Sequence, residues 1–133
     1  MQKPIFFKKG ILGFDDYKEY VIVRDEENCL YYLQSIDNPN LEFIIISPHV
    51  FKKPYNPKIS ELYFEELGGG ADDEFVVYLM VRTSGKSEEI TVNLQAPLLI
   101  HLDRRQGVQV IVDGDEYGMR ESLRVLIEGG DSC

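Results

Sequence analysis

Tyr20-Val21-Ile22-Val23, Cys29-Leu30-Tyr31-Tyr32-Leu33-Gln34-Ser35 and Leu41-Glu42-Phe43-Ile44-Ile45-Ile46-Ser47 decide the fold class of this chain. Each run is dominated by β-branched and aromatic residues, the composition of a pleated, half-buried surface. The runs are separated by Asp25 to Asn28 and by Asp37-Asn38-Pro39-Asn40. Asn and Asp side chains fold back onto their own backbone and proline presets φ, so both separators read as turns. The apolar triplet Ile44-Ile45-Ile46 predicts a strand buried on both faces, and Pro48 ends it because proline cannot donate to a ladder.

The same signals extend in both directions. Upstream, Ile5 to Phe7 predicts a short strand. Gly10-Ile11-Leu12-Gly13-Phe14 predicts a turn in which Gly10 and Gly13 supply backbone conformations other residues avoid, with Phe14 and Leu33 in the core. Downstream, His49 to Lys58 carries Pro54 and Pro57 and should be irregular. Ser60 to Leu67 predicts one short helix, with Ser60 as its cap, Glu61 near its positive end, and Ile59, Leu62, Tyr63 and Leu67 as its apolar face. Gly68-Gly69-Gly70 should terminate it. Strands follow at Glu74 to Arg82, Ile90 to Leu94, Leu98 to Leu102 and Gly107 to Val112, with Gln95-Ala96-Pro97 breaking the second from the third and Ser84-Gly85-Lys86 as a turn. The segment holding Met119, Leu123 and Leu126 fits either a helix or a strand. About eight strands and one helix predict an all-β fold: a small antiparallel β-barrel-like single domain over residues 1–133, fraying from about residue 128.

Of the 133 residues, 44% are hydrophobic and 28% charged, a globular balance. No apolar run approaches the roughly 18 residues of a spanning helix. The N-terminal residues show no signal-peptide pattern. Two cysteines, Cys29 and Cys133, are too few for a disulfide framework. Cys29 reads as inert packing, and a reducing, cytoplasmic setting is expected. With 14 basic and 23 acidic residues the net charge is −9. Such a field repels phosphate backbones and anionic lipids, so direct nucleic-acid or membrane binding is not expected, whereas a basic protein partner is allowed. The acid is clustered: no Lys or Arg lies between Lys58 and Arg82, a stretch carrying Glu61, Glu65, Glu66, Asp72, Asp73 and Glu74.

Catalytic constellations are missing. His49 and His101 stand in no metal-ligand spacing with the cysteines, and each reads as surface or packing. The glycine triplet lacks the lysine and hydroxyl of a phosphate loop. Asp113-Gly114-Asp115-Glu116-Tyr117-Gly118 resembles the start of a calcium loop, but Arg124 stands where a bidentate glutamate is needed. No G-x-S-x-G occurs. The aromatic pairs Phe6-Phe7 and Tyr31-Tyr32 lack the basic surround of a nucleic-acid stacking platform. No enzyme activity, cofactor, metal site or catalytic residue is therefore expected, and the residues alone point to an acidic β protein that binds another protein.

The order of local patterns adds a resemblance. Phe6 with Gly10-Ile11-Leu12-Gly13-Phe14 resembles an F…G-I-x-G-F signature, Tyr32-Leu33-Gln34-Ser35 an L-Q-S strand, and Phe43 to Pro48 the apolar strand that follows. Ile90-Thr91-Val92-Asn93-Leu94-Gln95-Ala96-Pro97, then Arg105 and Gly107-Val108-Gln109-Val110, complete a series that resembles the flagellar assembly factor FliW family over residues 5 to 123. His101 stands where the family often has Asn. The resemblance implies a non-enzymatic, β-barrel-like, chaperone-like protein of the cytoplasm; separately from it, a monomer is expected for the free protein, with pairing through an edge strand as the alternative. It would bind flagellin and, once released from it, bind and antagonise the translational repressor CsrA, the carbon-storage regulator. Candidate protein-binding residues are Glu65, Glu66, Asp72, Asp73 and Glu74, as an acidic surface for a basic partner, and Asn93, Pro97 and Gln109 from the motifs. The competing expectation is a β-barrel that holds a small ligand, or a cryptic hydrolase.

Overall fold

The structure is a computed structural model that describes residues 3–69, 73–83 and 90–127. Among these, nine strands form one sheet: β1 (Ile5–Phe7), β2 (Glu19–Arg24), β3 (Leu30–Ser35), β4 (Glu42–Ile46), β5 (Phe75–Thr83), β6 (Ile90–Val92), β7 (Leu98–His101), β8 (Gln106–Gln109) and β9 (Glu121–Ser122). In the order β4-β3-β2-β1-β8-β7-β5 the sheet closes on itself, because β5 pairs again with β4. These seven strands make a mixed barrel, and β6 and β9 extend from β5 outside the ring.

Every seam of the ring is antiparallel except one. β1 and β8 run parallel, with Phe6 opposite Gln106 and Phe7 opposite Gly107. The expected antiparallel β-barrel-like fold is thus present with one parallel seam, and the reason for that seam is parity. Strands that alternate up and down around a ring return in phase only when their number is even, so a seven-membered ring needs a parallel pair. The seam is tight: a Cβ on Gly107 would lie 2.6 Å from the Phe7 ring.

The expected break after Ile90 to Leu94 is what lets β5 serve two partners along one edge. Its first half pairs with β7, from Phe75 opposite His101 to Tyr78 opposite Leu98. Its second half pairs with β6, from Val81 opposite Val92 to Thr83 opposite Ile90. Residues 93–97 leave the ladder between them, and Pro97, lacking an N–H, costs no bond there. Its carbonyl still accepts from Val110 N at 2.8 Å.

Period-2 alternation sorts the apolar side chains into three clusters. Ile5, Phe7, Tyr20, Leu33, Ile45, Leu98 and Ile100 fill the barrel. Ile46, Leu79, Val81, Val92 and Leu94 lie on its outside with Leu123 and Leu126 against them. Leu99, Val108, Val110 and Val112 form a second outer patch that Leu67, Tyr63 and Phe64 cover. Ile45 and Ile46 belong to different clusters, so β4 is buried on both faces, as its apolar triplet predicts.

The helices differ in part from expectation. Helix α1 (Glu61–Glu66) starts where Ser60 accepts from Leu62 N at 3.3 Å, and Gly68 follows it at φ 75°. Its packed face is Tyr63, Phe64 and Leu67, whereas Leu62 is 72% exposed. The expected face assigned Leu62 inward; one residue of helical rotation, about 100°, carries it out to solvent. The ambiguous C-terminal segment forms both alternatives in succession, β9 and then a second helix, α2 (Leu123–Ile127). The proline-rich stretch opens with a 3-10 turn at Pro48–Val50, capped by Ser47. Cys29, expected as inert packing, is half-buried. The expected turn at Ser84 to Lys86 and the tail from residue 128 lie outside the described residues.

Candidate functional site

The loop between β1 and β2 supplies one wall of a surface groove. Gly10 sits at φ 69°, and a Cβ there would come within 2.8 Å of the Asp15 backbone, so only glycine allows the chain to turn back. The turn splits two neighbours: Ile11 is buried in the barrel while Leu12 is 77% exposed. Ile11 and Phe14 form an isolated bridge. Phe14 packs edge-on against Phe43, with ring centres 5.2 Å apart. It is half-exposed, which corrects the core position expected for it, because its other side faces a groove.

That groove has a volume of about 520 Å³. Leu12, Phe14 and the exposed Met119 give it an apolar wall, and Arg82, Arg120 and Glu42 a charged rim. Two motif residues meet here. Gln109 Oε1 accepts from Leu12 N at 2.9 Å and so pins the loop to the end of β8. Asn93 Oδ1 accepts from Gln95 N at 2.9 Å and shapes the break between β6 and β7. Both side chains also line the groove. Pro97 is buried at the start of β7 and does not line it.

The acidic candidates lie elsewhere and are not a free run of charge. Glu65 is exposed on α1. Glu66 holds Lys9 Nζ at 2.6 Å, and this hydrogen bond and charge push the Lys9 ammonium above its ordinary range. Asp73 Oδ2 lies 2.8 Å from His101 Nε2. Glu74 is exposed, and Asp72 lies outside the described residues. Leu62 and Ile111, both exposed, share a second recess of about 440 Å³ with Lys9, Glu66 and Asp113. The β1–β2 loop runs between the two features, Lys9 contributing to one and Leu12 to the other.

His101 is 2% exposed and its two nitrogens are both engaged. Nδ1 accepts from Arg104 N at 3.1 Å, which puts the proton on Nε2 facing Asp73. A histidine so held fastens β7 to the residues before β5 and has no free nitrogen for a nucleophile. Among the described residues, no group of three or more His, Cys, Asp and Glu is placed to hold a metal ion, and no helix is long and apolar enough to cross a membrane.

Sequence reasoning missed the groove's apolar wall. Its one local signal is Leu12, an aliphatic side chain held between two turn glycines where no strand or helix face can bury it.

These features define a small closed barrel whose accessible surface offers a groove with an apolar wall and a second recess of mixed lining. Relatives sharpen that class. The family described as FliW protein matches residues 1–123. A flagellar assembly factor FliW from Caldanaerobacter subterraneus subsp. tengcongensis is 38% identical over 121 residues, covering 90% of this chain and 81% of the relative. Another, from Lachnospira eligens, is 36% identical over 131 residues, covering 95% and 87%. A crystal structure of a flagellar assembly factor FliW superposes with a TM-score of 0.82 at 28% identity, covering 90% of this chain and 84% of that one. The chain belongs to the FliW family of flagellar assembly factors.

Proposed function

We propose that this chain is a non-catalytic, cytoplasmic binding protein with two alternating partners, flagellin and CsrA. The observation that carries the reading is the family match over residues 1–123. The geometry supports it by supplying two surfaces of different chemistry. Flagellin occupies the groove, where Leu12, Phe14 and Met119 take apolar side chains and Asn93 and Gln109 stand at the wall. Apolar anchors ringed by polar groups are the usual form of a docking site.

CsrA meets the acidic side, for which Glu65, Glu66, Asp73 and Glu74 are the described candidates. A protein that attracts RNA carries a basic face, and a partner at net −9 is steered toward it. Because Lys9 and His101 already engage Glu66 and Asp73, Glu65 and Glu74 contribute most of the unspent charge. While flagellin is abundant the groove is filled; after its secretion the free protein binds CsrA and lifts repression of flagellin translation.

Calorimetry of the full chain against the flagellin and then the CsrA of its own organism tests this. Binding to both, with flagellin displacing CsrA from the monomeric protein, is the expected result. Binding to flagellin alone leaves a dedicated chaperone, and binding to neither rejects the reading. Reversal of Asp72, Asp73 and Glu74 to lysine should slow CsrA association at low salt; an unchanged on-rate removes the acidic surface from the account.

A further inference from the structure

Asp113-Gly114 is the single place in the chain where glycine follows Asp or Asn. It lies in the loop between β8 and β9, and Asp113 lines the recess that Leu62 and Ile111 share with Lys9 and Glu66.

This stretch is held at its two ends and unbonded between them. At one end Val112 is buried and its N–H donates to Gln95 O at 2.9 Å. At the other, Gly118 O accepts from Leu94 N at 2.9 Å, and Tyr117 packs edge-on against Tyr55 with ring centres 4.8 Å apart. From Asp113 to Glu116 every residue is exposed. Among the described residues none of these four makes a hydrogen bond or an ion pair. Gly114 sits at φ 89°, and a Cβ built there would meet no atom within 4 Å. The amide that follows Asp113 is therefore neither hydrogen-bonded nor shielded.

Such an amide can act as a nucleophile on the carboxyl group one residue back. Attack of Gly114 N on Asp113 Cγ closes a five-membered ring. The nitrogen gives up its proton, the carboxyl gives up its hydroxyl, and the two leave as water. Water then reopens the ring at one of its two carbonyls. Opening at Cγ restores aspartate. Opening at the main-chain carbonyl leaves the backbone running through Cγ, an isoaspartyl linkage. One water leaves and one enters, so the mass is unchanged. Ring closure needs the nitrogen to swing within about 3–3.5 Å of Cγ. Strand or helix bonds forbid that swing, whereas an unbonded loop tip ending on glycine permits it.

We propose that Asp113-Gly114 is an isoaspartate-forming site of the folded protein, and that the change remodels the recess without unfolding the barrel. It adds one carbon to the backbone just past the Val112 anchor and shifts a carboxylate in the recess that Lys9 and Glu66 also line. Asp115 is equally exposed, but Glu116 follows it and brings a side chain up against the attacking nitrogen.

The test is to incubate the full chain for weeks in warm, mildly acidic buffer and digest it with trypsin. The peptide Gln106–Arg120 carries Asp113 and Asp115 together. Electron-transfer fragmentation, which marks isoaspartyl linkages, should find one at Asp113 and none at Asp115. The folded chain should form it within about threefold of the rate in that peptide alone, since nothing holds the loop tip. Gly114→Ala should slow it about tenfold, because a Cβ crowds the nitrogen and narrows the backbone's freedom. Asp113→Glu, which would have to close a six-membered ring, should show none. The aged chain should keep its melting temperature. Absence of isoaspartate from the folded chain overturns the proposal, since the Gly114 amide is then held. Equal conversion at Asp115 also overturns it, because that marks general ageing of exposed aspartates. A melting temperature that falls as conversion rises overturns the claim that the barrel tolerates the change.

Discussion

β7 and β2 belong to the same barrel, yet all four residues of β7 are buried while β2 buries only Tyr20. The inward positions are alike: Leu98 and Ile100 on β7 and Tyr20 on β2 all enter the central cluster. The outward positions differ. Leu99 lies beneath α1 with Leu67 and Tyr63, whereas Val23 faces solvent and is 44% exposed. One wall of the barrel is therefore the middle of three layers, and the other is a single sheet with water on its outside. The lesson is that stability is concentrated on the covered wall, which leaves the ends and the open wall free to carry surface chemistry.

Truncation tests this comparison most severely. Leu98→Ala and Leu99→Ala, one inward and one outward on β7, should each cost about 2–5 kcal/mol in chemical denaturation. Val23→Ala should stay within about 0.5 kcal/mol. If Val23→Ala proves as costly as Leu99→Ala, the open wall is covered in solution. A smaller effect is expected at the parallel seam, where Gly107→Ala drives a Cβ against Phe7 and should cost about 1–3 kcal/mol. Phe7→Leu in the same chain should recover part of that loss; a strictly additive double variant would show that the ring is not what the glycine accommodates.

How far these features were legible in the sequence depends on their range along the chain. The strands from Tyr20 to Ser47, the break at Gln95-Ala96-Pro97 and the Ser60 cap are each written within a few residues, and each is present. Leu62 was misassigned because a helix of six residues is too short for its period to fix a face unaided. The β1–β8 seam joins Phe6 to Gln106, and no local pattern carries so distant a pairing. The groove has the same difficulty. Asn93 and Gln109 were legible as motif residues, but Leu12, Phe14 and Met119 become its wall only when three separate segments meet.

Nearer the surface the effects shrink. Gln109→Ala removes the acceptor for Leu12 N and should cost about 1 kcal/mol, with weaker binding to flagellin by the proposed route. Leu12→Ser should leave stability within about 0.5 kcal/mol while lowering flagellin affinity about tenfold. Equal loss of stability and affinity would show that the loop is a structural strap and not a docking wall.

The smallest effect belongs to the open wall. In the β2–β3 turn, Asp25 accepts from Glu27 N at 2.9 Å, and its other oxygen accepts from Asn28 at 2.9 Å and from the Tyr32 hydroxyl at 3.1 Å. The amide bond from Glu27 chiefly holds the carboxyl below its ordinary range. A depressed carboxyl supports the fold above its unfolded value, and that support fades as pH falls through the folded one. The Glu27 and Asn28 amide signals should therefore shift only below about pH 4, the ordinary carboxylate value. A midpoint at that ordinary value would mean the turn is not organised around Asp25.

The parallel seam also bears on how the protein is made. During translation β1 leaves the ribosome ahead of the other ring strands, but one of its two neighbours, β8, begins at Gln106. The ring cannot shut until most of the chain has emerged, and until then one edge of β1 is bare. Long-range pairings of this kind slow folding, and unpaired edges invite contact with other nascent chains. The seam thus joins the first ring strand to be made to the last ring strand to be made.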